Sequence, residues 1–257
     1  MIGLFDSGVG GLTVLREVAQ QLPGVALTYL GDTARTPYGN KSGGVVAGYG
    51  LQAARFLVSR GAQVLVVACN TVSAVGLEAI RQEFPEVPLF DVIGPAVRAV
   101  EGAGFTRVGV MGTRALVASG AYQAALPGRQ VVARAAPLLV PLVEENWLNR
   151  PETKRIVKSY LQPFKQAQVQ VLVLACTHYP LLKAVIRPRI SRRTQLIDPA
   201  EETAAVLAAW LTEHPEVGSK LARGEHRFFV TDATTQAAAI AERWLKHPVS
   251  LEPVQLS

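Results

Sequence analysis

The sequence predicts an α/β fold of two similar domains, each a mostly parallel sheet flanked by helices, with the functional site in the cleft between them. Two observations predict it. Short apolar runs rich in β-branched residues alternate with longer helical stretches along the 257 residues, as in successive βαβ units. The run VLVVACNTVS (64–73) is nearly repeated as VLVLACTHYP (171–180), and the only two cysteines, Cys69 and Cys176, occupy matching places in the copies.

Nine apolar runs are the predicted strands. In chain order they are Ile2–Phe5, Ala26–Leu30, Val64–Val67, Leu89–Val92, Arg107–Met111, Val131–Ala133, Val171–Leu174, Gln195–Ile197 and Arg227–Val230. The runs at 64–67 and 171–174 are apolar without alternation, which is typical of parallel strands buried on both faces.

Longer stretches between these strands are the predicted helices. They include Thr13–Gln21, Val45–Ser59, Ser73–Glu83, Pro95–Ala103, Thr153–Gln166, Ala200–His214 and Thr234–His247. We expect the chain to cross from one domain to the other near 91–95 and to return after about residue 206. Residues 1–93 plus 207–257 are thus predicted to form an N-terminal α/β domain and residues 94–206 the second.

Composition excludes several classes of protein. The chain is 49% hydrophobic and 18% charged, as in globular proteins, and has no apolar run of the ~20 residues that a membrane span needs. The first residues lack a basic stretch and reach an aspartate at position 6, so they are not a secretory signal. Two cysteines do not make a disulfide scaffold, which favours the reducing cytoplasm.

The formal net charge of +6 raises the question of nucleic-acid binding. The basic residues are scattered, and the densest cluster, at 187–193, is short and lacks interleaved aromatic residues. A solvated surface, or attraction of an anionic small substrate, explains the charge as well. No nucleic-acid partner and no membrane partner are therefore expected.

Each cysteine lies just after a predicted parallel strand, with one alanine between them. Ligands of parallel sheets bind beyond the carboxyl ends of the strands, so both thiols are expected at a binding site. The residues after each cysteine are predicted to open a helix, whose N-terminal amides stabilise a thiolate. Asn70, Thr71 and Thr177 add hydrogen-bonding side chains there. The alternative is that each cysteine is only a small buried hydrophobic residue.

Paired thiols allow three kinds of chemistry. A disulfide requires the two Cα atoms within about 7 Å, and no C-x-x-C motif supports one. A zinc site could use Cys69, Cys176 and His178, although their spacing is unlike that of structural zinc motifs. If the two domains face each other, one thiolate could instead remove a proton from a carbon while the opposite thiol protonates its other face. His178 would then assist Cys176, or it only fills the turn.

Two further turns place polar side chains at strand ends. Asp6 and Ser7 precede the glycines of GVGG. These glycines match neither the dinucleotide-binding pattern G-x-G-x-x-G nor the phosphate-loop pattern G-x-x-x-x-G-K-[ST], so we expect a tight turn that presents both side chains. Asp6 could instead only cap the following helix. The segment GDTARTPYG (31–39) places Asp32, Arg35 and Tyr38 in a loop after the second strand.

The motifs together resemble the glutamate racemases of the cofactor-independent aspartate/glutamate racemase superfamily. The matching segments, in order, are FDSGVGGLTV (5–14), GDTARTPYG (31–39), ACNTVSA (68–74), LVPLVEE (139–145), LACTHYPLL (174–182) and LIDPAEETA (196–204). The resemblance covers nearly the whole chain.

The resemblance implies an isomerase that interconverts L- and D-glutamate without pyridoxal phosphate, metal or nucleotide. It further implies D-glutamate supply for peptidoglycan, and hence cell-wall biogenesis and cell shape, and a homodimer. Cys69 and Cys176 would be the acid/base catalysts, assisted by Asp6 and His178. Asp32 and Glu144 would be further acidic residues near the site, with Glu145 an alternative to Glu144. The remaining implied residues bind the substrate: Asp6, Ser7, Tyr38, Gly39, Asn70, Thr71 and Thr177.

Two other functions fit the same residues. A binding module or thiol-based sensor would use the cleft without turnover. An aspartate or hydantoin racemase would use the same paired thiols on another substrate. A pyridoxal-dependent racemase is disfavoured, because no lysine follows either cysteine-bearing strand directly.

Overall fold

The structure, a computed structural model that describes residues 1–256, confirms the α/β fold and contains two parallel sheets. The first sheet has the strand order β10-β9-β2-β1-β3-β4 and the second β6-β5-β7-β8. The strands are β1 Ile2–Asp6, β2 Leu27–Gly31, β3 Val64–Val67, β4 Leu89–Asp91, β5 Arg107–Gly112, β6 Gln130–Ala135, β7 Val171–Ala175, β8 Gln195–Ile197, β9 Arg227–Val230 and β10 Leu251–Pro253.

Helices flank both sheets. They are α1 Leu12–Gln21, α2 Gly43–Ser59, α3 Asn70–Val75, α4 Leu77–Glu83, α5 Ile93–Gly102, α6 Arg114–Ser119, α7 Ala121–Ala125, α8 Leu139–Glu144, α9 Pro151–Gln166, α10 Lys183–Ile186, α11 Pro199–Glu213, α12 Pro215–Gly218 and α13 Thr235–Leu245. Among residues 1–256, no helix is both long and apolar enough to span a bilayer.

The central strands are buried on both faces, as their unbroken apolar runs predict. Every residue of β1, β3 and β7 is buried. Full burial of one valine or leucine side chain contributes roughly 1.5–3 kcal/mol, so these strands anchor the fold. The largest apolar cluster includes Leu4 of β1, Leu12 of α1, Leu174 of β7 and Leu207 of α11, and thus connects the two sheets through α1 and α11.

Register determines which residues meet at the carboxyl edges. Phe5 of β1 pairs with Val67 of β3, so the segment that begins at Asp6 runs beside the one that leads to Cys69. In the second sheet Gly112 of β5 pairs with Ala175 of β7, so the residue after β5 lies next to Cys176. Both cysteines therefore leave their strands at the edge where ligands of parallel sheets bind.

The structure differs from the predicted elements in several places, and the short helices α6, α7, α8, α10 and α12 were not among the predicted ones. The predicted helix Ser73–Glu83 is two helices, α3 and α4, which meet at Gly76; a Cβ there would lie 3.1 Å from the Ala47 Cα, so the break lets α2 approach closely. Strand β10 was not predicted, because it is three residues long, partly exposed and ends in a proline.

The domain division at 93/94 and 206/207 stays a prediction. Strands β9 and β10 pair with the six-stranded sheet, and the second boundary falls within α11. That helix packs against both α1 and α5.

Candidate active site

A cavity of about 410 Å³ opens at the carboxyl edges of both sheets. Every residue predicted for the site lines it except Asp32. These residues are Asp6, Ser7, Tyr38, Gly39, Cys69, Asn70, Thr71, Glu144, Cys176, Thr177 and His178. Both cysteines are free thiols, so the matched sequence copies bring two unpaired sulfurs to one cavity.

Cys69 is the N-cap residue of α3 and is only 3% exposed. Burial and the negative charge of Asp6 raise the pKa of its thiol to about 12, against the opposing effect of hydrogen bonds from Val72 and Ser7. The predicted stabilising amides are thus present, but burial outweighs them. Cys69 is therefore a protonated thiol at neutral pH in this arrangement.

Cys176 lies in a different local structure. The chain after it bends into a short 3₁₀ turn, Tyr179–Leu182, so the predicted helix opening is wrong here. Pro180 in that turn has no N–H for a helical hydrogen bond. The Tyr179 hydroxyl fixes the turn by donating to the carbonyl oxygens of Gly112 (3.1 Å) and Ala136 (2.8 Å).

His178 connects Cys176 with Glu144. Its Nδ1 lies 3.9 Å from the Cys176 Sγ, and its Nε2 lies 2.9 Å from Oε1 of Glu144. Burial opposes protonation of the ring, but the hydrogen bonds to Cys176 and Glu144, with their charges, raise the pKa of His178 to about 10. The imidazole is therefore a cation at neutral pH, next to the sulfur.

The two glutamates at the end of α8 have different surroundings. Glu144 lines the cavity and contacts His178, whereas Oε1 of Glu145 accepts a hydrogen bond from Gln236. Glu144 is thus the residue that faces the site.

Asp6 and Thr177 join the two sheets at the floor of the cavity. Asp6 accepts hydrogen bonds from the backbone N–H of Gly11 (2.8 Å) and from the Thr177 hydroxyl (3.5 Å). The Thr13 hydroxyl donates to the carbonyl oxygen of Thr177 at 2.9 Å. Asp6 therefore holds the turn before α1 through Gly11, which is the N-cap residue of that helix, and it also faces the cavity; the alternative that Asp6 itself caps α1 is wrong.

Asp32 lies behind the wall of the cavity. It is buried and accepts hydrogen bonds from the Tyr38 hydroxyl, from Arg35 Nε at 2.7 Å and from the Thr231 hydroxyl at 2.8 Å. Its side chain turns toward the 32–38 loop and β9, so it holds Tyr38 in place and does not line the cavity.

Several lining residues were not singled out from the sequence. Thr113 follows β5, caps α6, and places its hydroxyl 3.0 Å from that of Thr71. The signal for it in the sequence is that segment 109–120, GVMGTRALVASG, places a threonine directly after an apolar run, as the segments around Cys69 and Cys176 place their hydroxyls. Arg114 is beside it, and Nη1 lies 3.4 Å from the Asn40 side-chain oxygen. An apolar wall completes the cavity, with Leu138 52% exposed; its members are Pro137, Leu138, Val140 and Pro141.

The zinc alternative has no assembled ligand set. Across residues 1–256, no three His, Cys, Asp or Glu side chains are grouped so that they could hold a metal ion.

Two arginines of the basic cluster near residue 190 form hydrogen bonds within the chain. Arg187 donates to the carbonyl oxygen of Thr194, and Arg189 donates to that of Val185.

Two parallel sheets share one cavity, and each contributes a free thiol with an ionisable side chain beside it, an arrangement typical of an α/β enzyme. Comparison with known proteins gives the family. Residues 12–207 match the Asp/Glu/Hydantoin racemase family. The chain is 45% identical to a protein named glutamate racemase from Geobacter metallireducens, over 95% of this chain and 92% of that one.

Solved structures agree. The chain superposes on glutamate racemase isoform RacE1 from Bacillus anthracis with a TM-score of 0.93 at 36% identity, covering 100% of this chain and 97% of the other. The Francisella tularensis glutamate racemase, solved in complex with D-glutamate, gives 0.93 at 32% identity with the same coverage. The chain belongs to the Asp/Glu/hydantoin racemase family and is an amino-acid racemase.

Proposed function

We propose that this racemase interconverts L- and D-glutamate by a two-base mechanism in which Cys69 and Cys176 exchange the Cα proton. One observation carries the proposal: two free, buried thiols leave matching strand ends and open on the same cavity, one beside Asp6 and the other beside His178. The glutamate assignment is supported by the relatives named glutamate racemase, of which one was solved with D-glutamate.

The unequal surroundings of the thiols give each a starting role. Cys69, whose pKa is raised to about 12, starts as the proton donor, and we assign the base to Cys176, whose Sγ lies 3.9 Å from Nδ1 of His178. Cys176 removes the Cα proton, the C–H electron pair stays on Cα, and Cys69 delivers its own proton to the opposite face. The product leaves Cys69 as the thiolate and Cys176 as the thiol, which is the state that catalyses the reverse reaction.

The carbanion must be stabilised by the protein, because the Cα proton of an amino acid is very weakly acidic. Fixed hydrogen-bond donors in a desolvated cavity supply this stabilisation. We assign substrate binding to the polar side chains and backbone around the thiols. They are Asp6, Ser7, Tyr38, Gly39, Asn70, Thr71 and Thr177. Neither a metal nor an organic cofactor is part of the proposed mechanism, because the two thiols supply both proton transfers.

The biological role follows from the product. We propose that the D-glutamate formed supplies peptidoglycan synthesis, in the cytoplasm, and that the enzyme acts as a homodimer. These statements rest on the family resemblance of the motifs FDSGVGG and ACTHYPLL.

A substrate panel in D₂O tests the proposal. Purified enzyme is incubated with L-glutamate, L-aspartate or a chiral hydantoin, while optical rotation and Cα deuterium are followed together. We expect loss of rotation and deuterated D-glutamate only with glutamate, and the same rate after dialysis against a chelator. Turnover of aspartate or the hydantoin instead would overturn the substrate assignment and keep the racemase chemistry. Activity lost to the chelator and restored by zinc would overturn the metal-free mechanism.

A further inference from the structure

Helix α13 lies behind the cavity and contributes no residue to its lining. It follows β9 of the six-stranded sheet and packs against α1, yet its last turn contacts Glu144 of α8 and His178 in the turn after β7. The proposed mechanism gives it no role.

Trp244 of α13 holds one side of the His178 ring. The two rings are 5.4 Å apart between centroids and nearly perpendicular, at 87°, a favoured aromatic geometry. Trp244 is 6% exposed and does not line the cavity, so it reaches the site only through His178.

The backbone at Gly10 closes another side of the ring. A Cβ at Gly10 would lie 2.6 Å from the His178 Cε1, so the backbone there packs closely against the imidazole. Both ring nitrogens are engaged as well, Nε2 by Glu144 and Nδ1 by the Cys176 sulfur and the Thr177 hydroxyl.

Arg243, the residue next to Trp244, contacts Glu144, the hydrogen-bond partner of His178. Nη1 of Arg243 donates to the backbone carbonyl oxygen of Glu144 at 3.3 Å, and Gln236, at the start of α13, donates to Glu145. One helix therefore contacts both His178 and the segment that carries Glu144.

We propose that α13 is a positioning element for the reaction, with Trp244 and Arg243 as positioning residues that keep the His178–Glu144 pair against Cys176. The proposal rests on the acid/base role given to Cys176 in the proposed function. The titratable and charged groups around the ring and the sulfur are Cys176, Glu144, Tyr179 and Arg243, with Asp6 one hydrogen bond further through Thr177. A displaced imidazolium would stabilise a negative charge on the sulfur less.

The first test uses Cys176 as its own reporter. In a Cys69→Ala background, alkylation of Cys176 by iodoacetamide is measured against pH in the full chain, without substrate. We expect Trp244→Leu to move the alkylation midpoint upward by about one pH unit. The matched control Trp210→Leu removes a tryptophan that packs on Phe90 and His214, and should leave the midpoint unchanged.

The second test measures turnover in the native-cysteine background. Trp244→Leu should lower kcat about tenfold with KM changed less than about twofold, because the side chain is outside the cavity. Should Trp244→Leu fail to fold, Arg243→Ala decides: this surface change should lower kcat about threefold and shift the midpoint upward, while the neighbouring exposed Glu242→Ala does neither.

The alkylation midpoint and kcat together distinguish a failure of the positioning role of α13 from a failure of the proposed glutamate racemase function. A folded Trp244→Leu variant, or an Arg243→Ala variant, with wild-type kcat and an unchanged alkylation midpoint would overturn the positioning role. If glutamate proves to be the wrong substrate, the alkylation midpoint still moves, because it is measured without any amino acid.

Discussion

At the scale of single residues, Asp6 and Cys69 form an unequal pair. The carboxylate adds to burial in raising the pKa of the thiol, so it keeps Cys69 protonated until a substrate changes the local charge. A donor that holds its proton at neutral pH is what the second half of a two-base reaction needs.

Asp6→Asn tests this pairing. The amide keeps an oxygen that can accept from Gly11 N–H but removes the charge, so the pKa of Cys69 should fall. In a Cys176→Ala background, we expect Cys69 to be alkylated at least about threefold faster at pH 8.5. The exposed Asp232→Asn is the control, and an equal effect from it, or none from Asp6→Asn, would contradict the assignment.

Glu144 and Glu145 provide a second matched pair. Glu144→Gln removes the charge that helps to raise the pKa of His178, so that pKa should fall from about 10, and the imidazolium should be lost at lower pH. We expect kcat to drop about tenfold and its alkaline limb to move toward neutral pH. Glu145→Gln should stay within about twofold of the wild type; equal losses in the two variants would contradict a specific role for Glu144.

The position of Asp32 could not be predicted from sequence. The loop GDTARTPYG indicated a polar segment at a strand end. The direction in which the Asp32 side chain points, however, depends on hydrogen-bond partners such as Thr231, which is far away in the chain. The apolar wall around Leu138 was missed for the same reason, since apolar residues near a helix give no signal of which face lines a cavity.

At the scale of elements, backbone spacing holds the site together. A Cβ at Gly10 would meet the Thr177 hydroxyl oxygen at 2.2 Å, as well as the His178 ring. The close approach of the 7–11 turn to the end of β7 thus requires a residue without a side chain at this point.

Gly10→Ala is therefore expected to separate the two strand ends. Activity should fall at least about a hundredfold, because small displacements of acid/base groups are costly. Gly44→Ala is the control: it lies in α2 with open space around it, and alanine there should be neutral or stabilise by up to ~1 kcal/mol. Circular dichroism and kcat measure both variants, and wild-type turnover by Gly10→Ala would contradict the packing argument.

Elements with strong periodicity were predictable, and those that depend on tertiary contacts were not. The buried strands that begin at Val64 and Val171 are unbroken apolar runs, so the local sequence is enough to predict them as strands. The break at Gly76 depends on the approach of α2, and the turn after Cys176 on the anchoring of Tyr179, so local sequence does not determine either.

At the scale of the whole molecule, the repeated cysteine motif indicated two similar halves, and the structure brings the two thiols to one cavity from two parallel sheets. The halves are alike in topology but not in chemistry, because one thiol is buried beside a carboxylate and the other lies beside an imidazolium. The sequence showed the symmetry, while the difference in protonation depends on burial and on neighbours that only the fold provides.

The central claim is that the two thiols act on opposite faces of one carbon. Its most direct test is solvent exchange in D₂O by Cys69→Ala and Cys176→Ala, each incubated separately with L- and with D-glutamate. We predict that neither variant racemises, and that each incorporates Cα deuterium into one enantiomer only, the opposite one for the two variants. Racemisation by either variant, or exchange of the same enantiomer by both, would contradict a two-base mechanism with one thiol on each face.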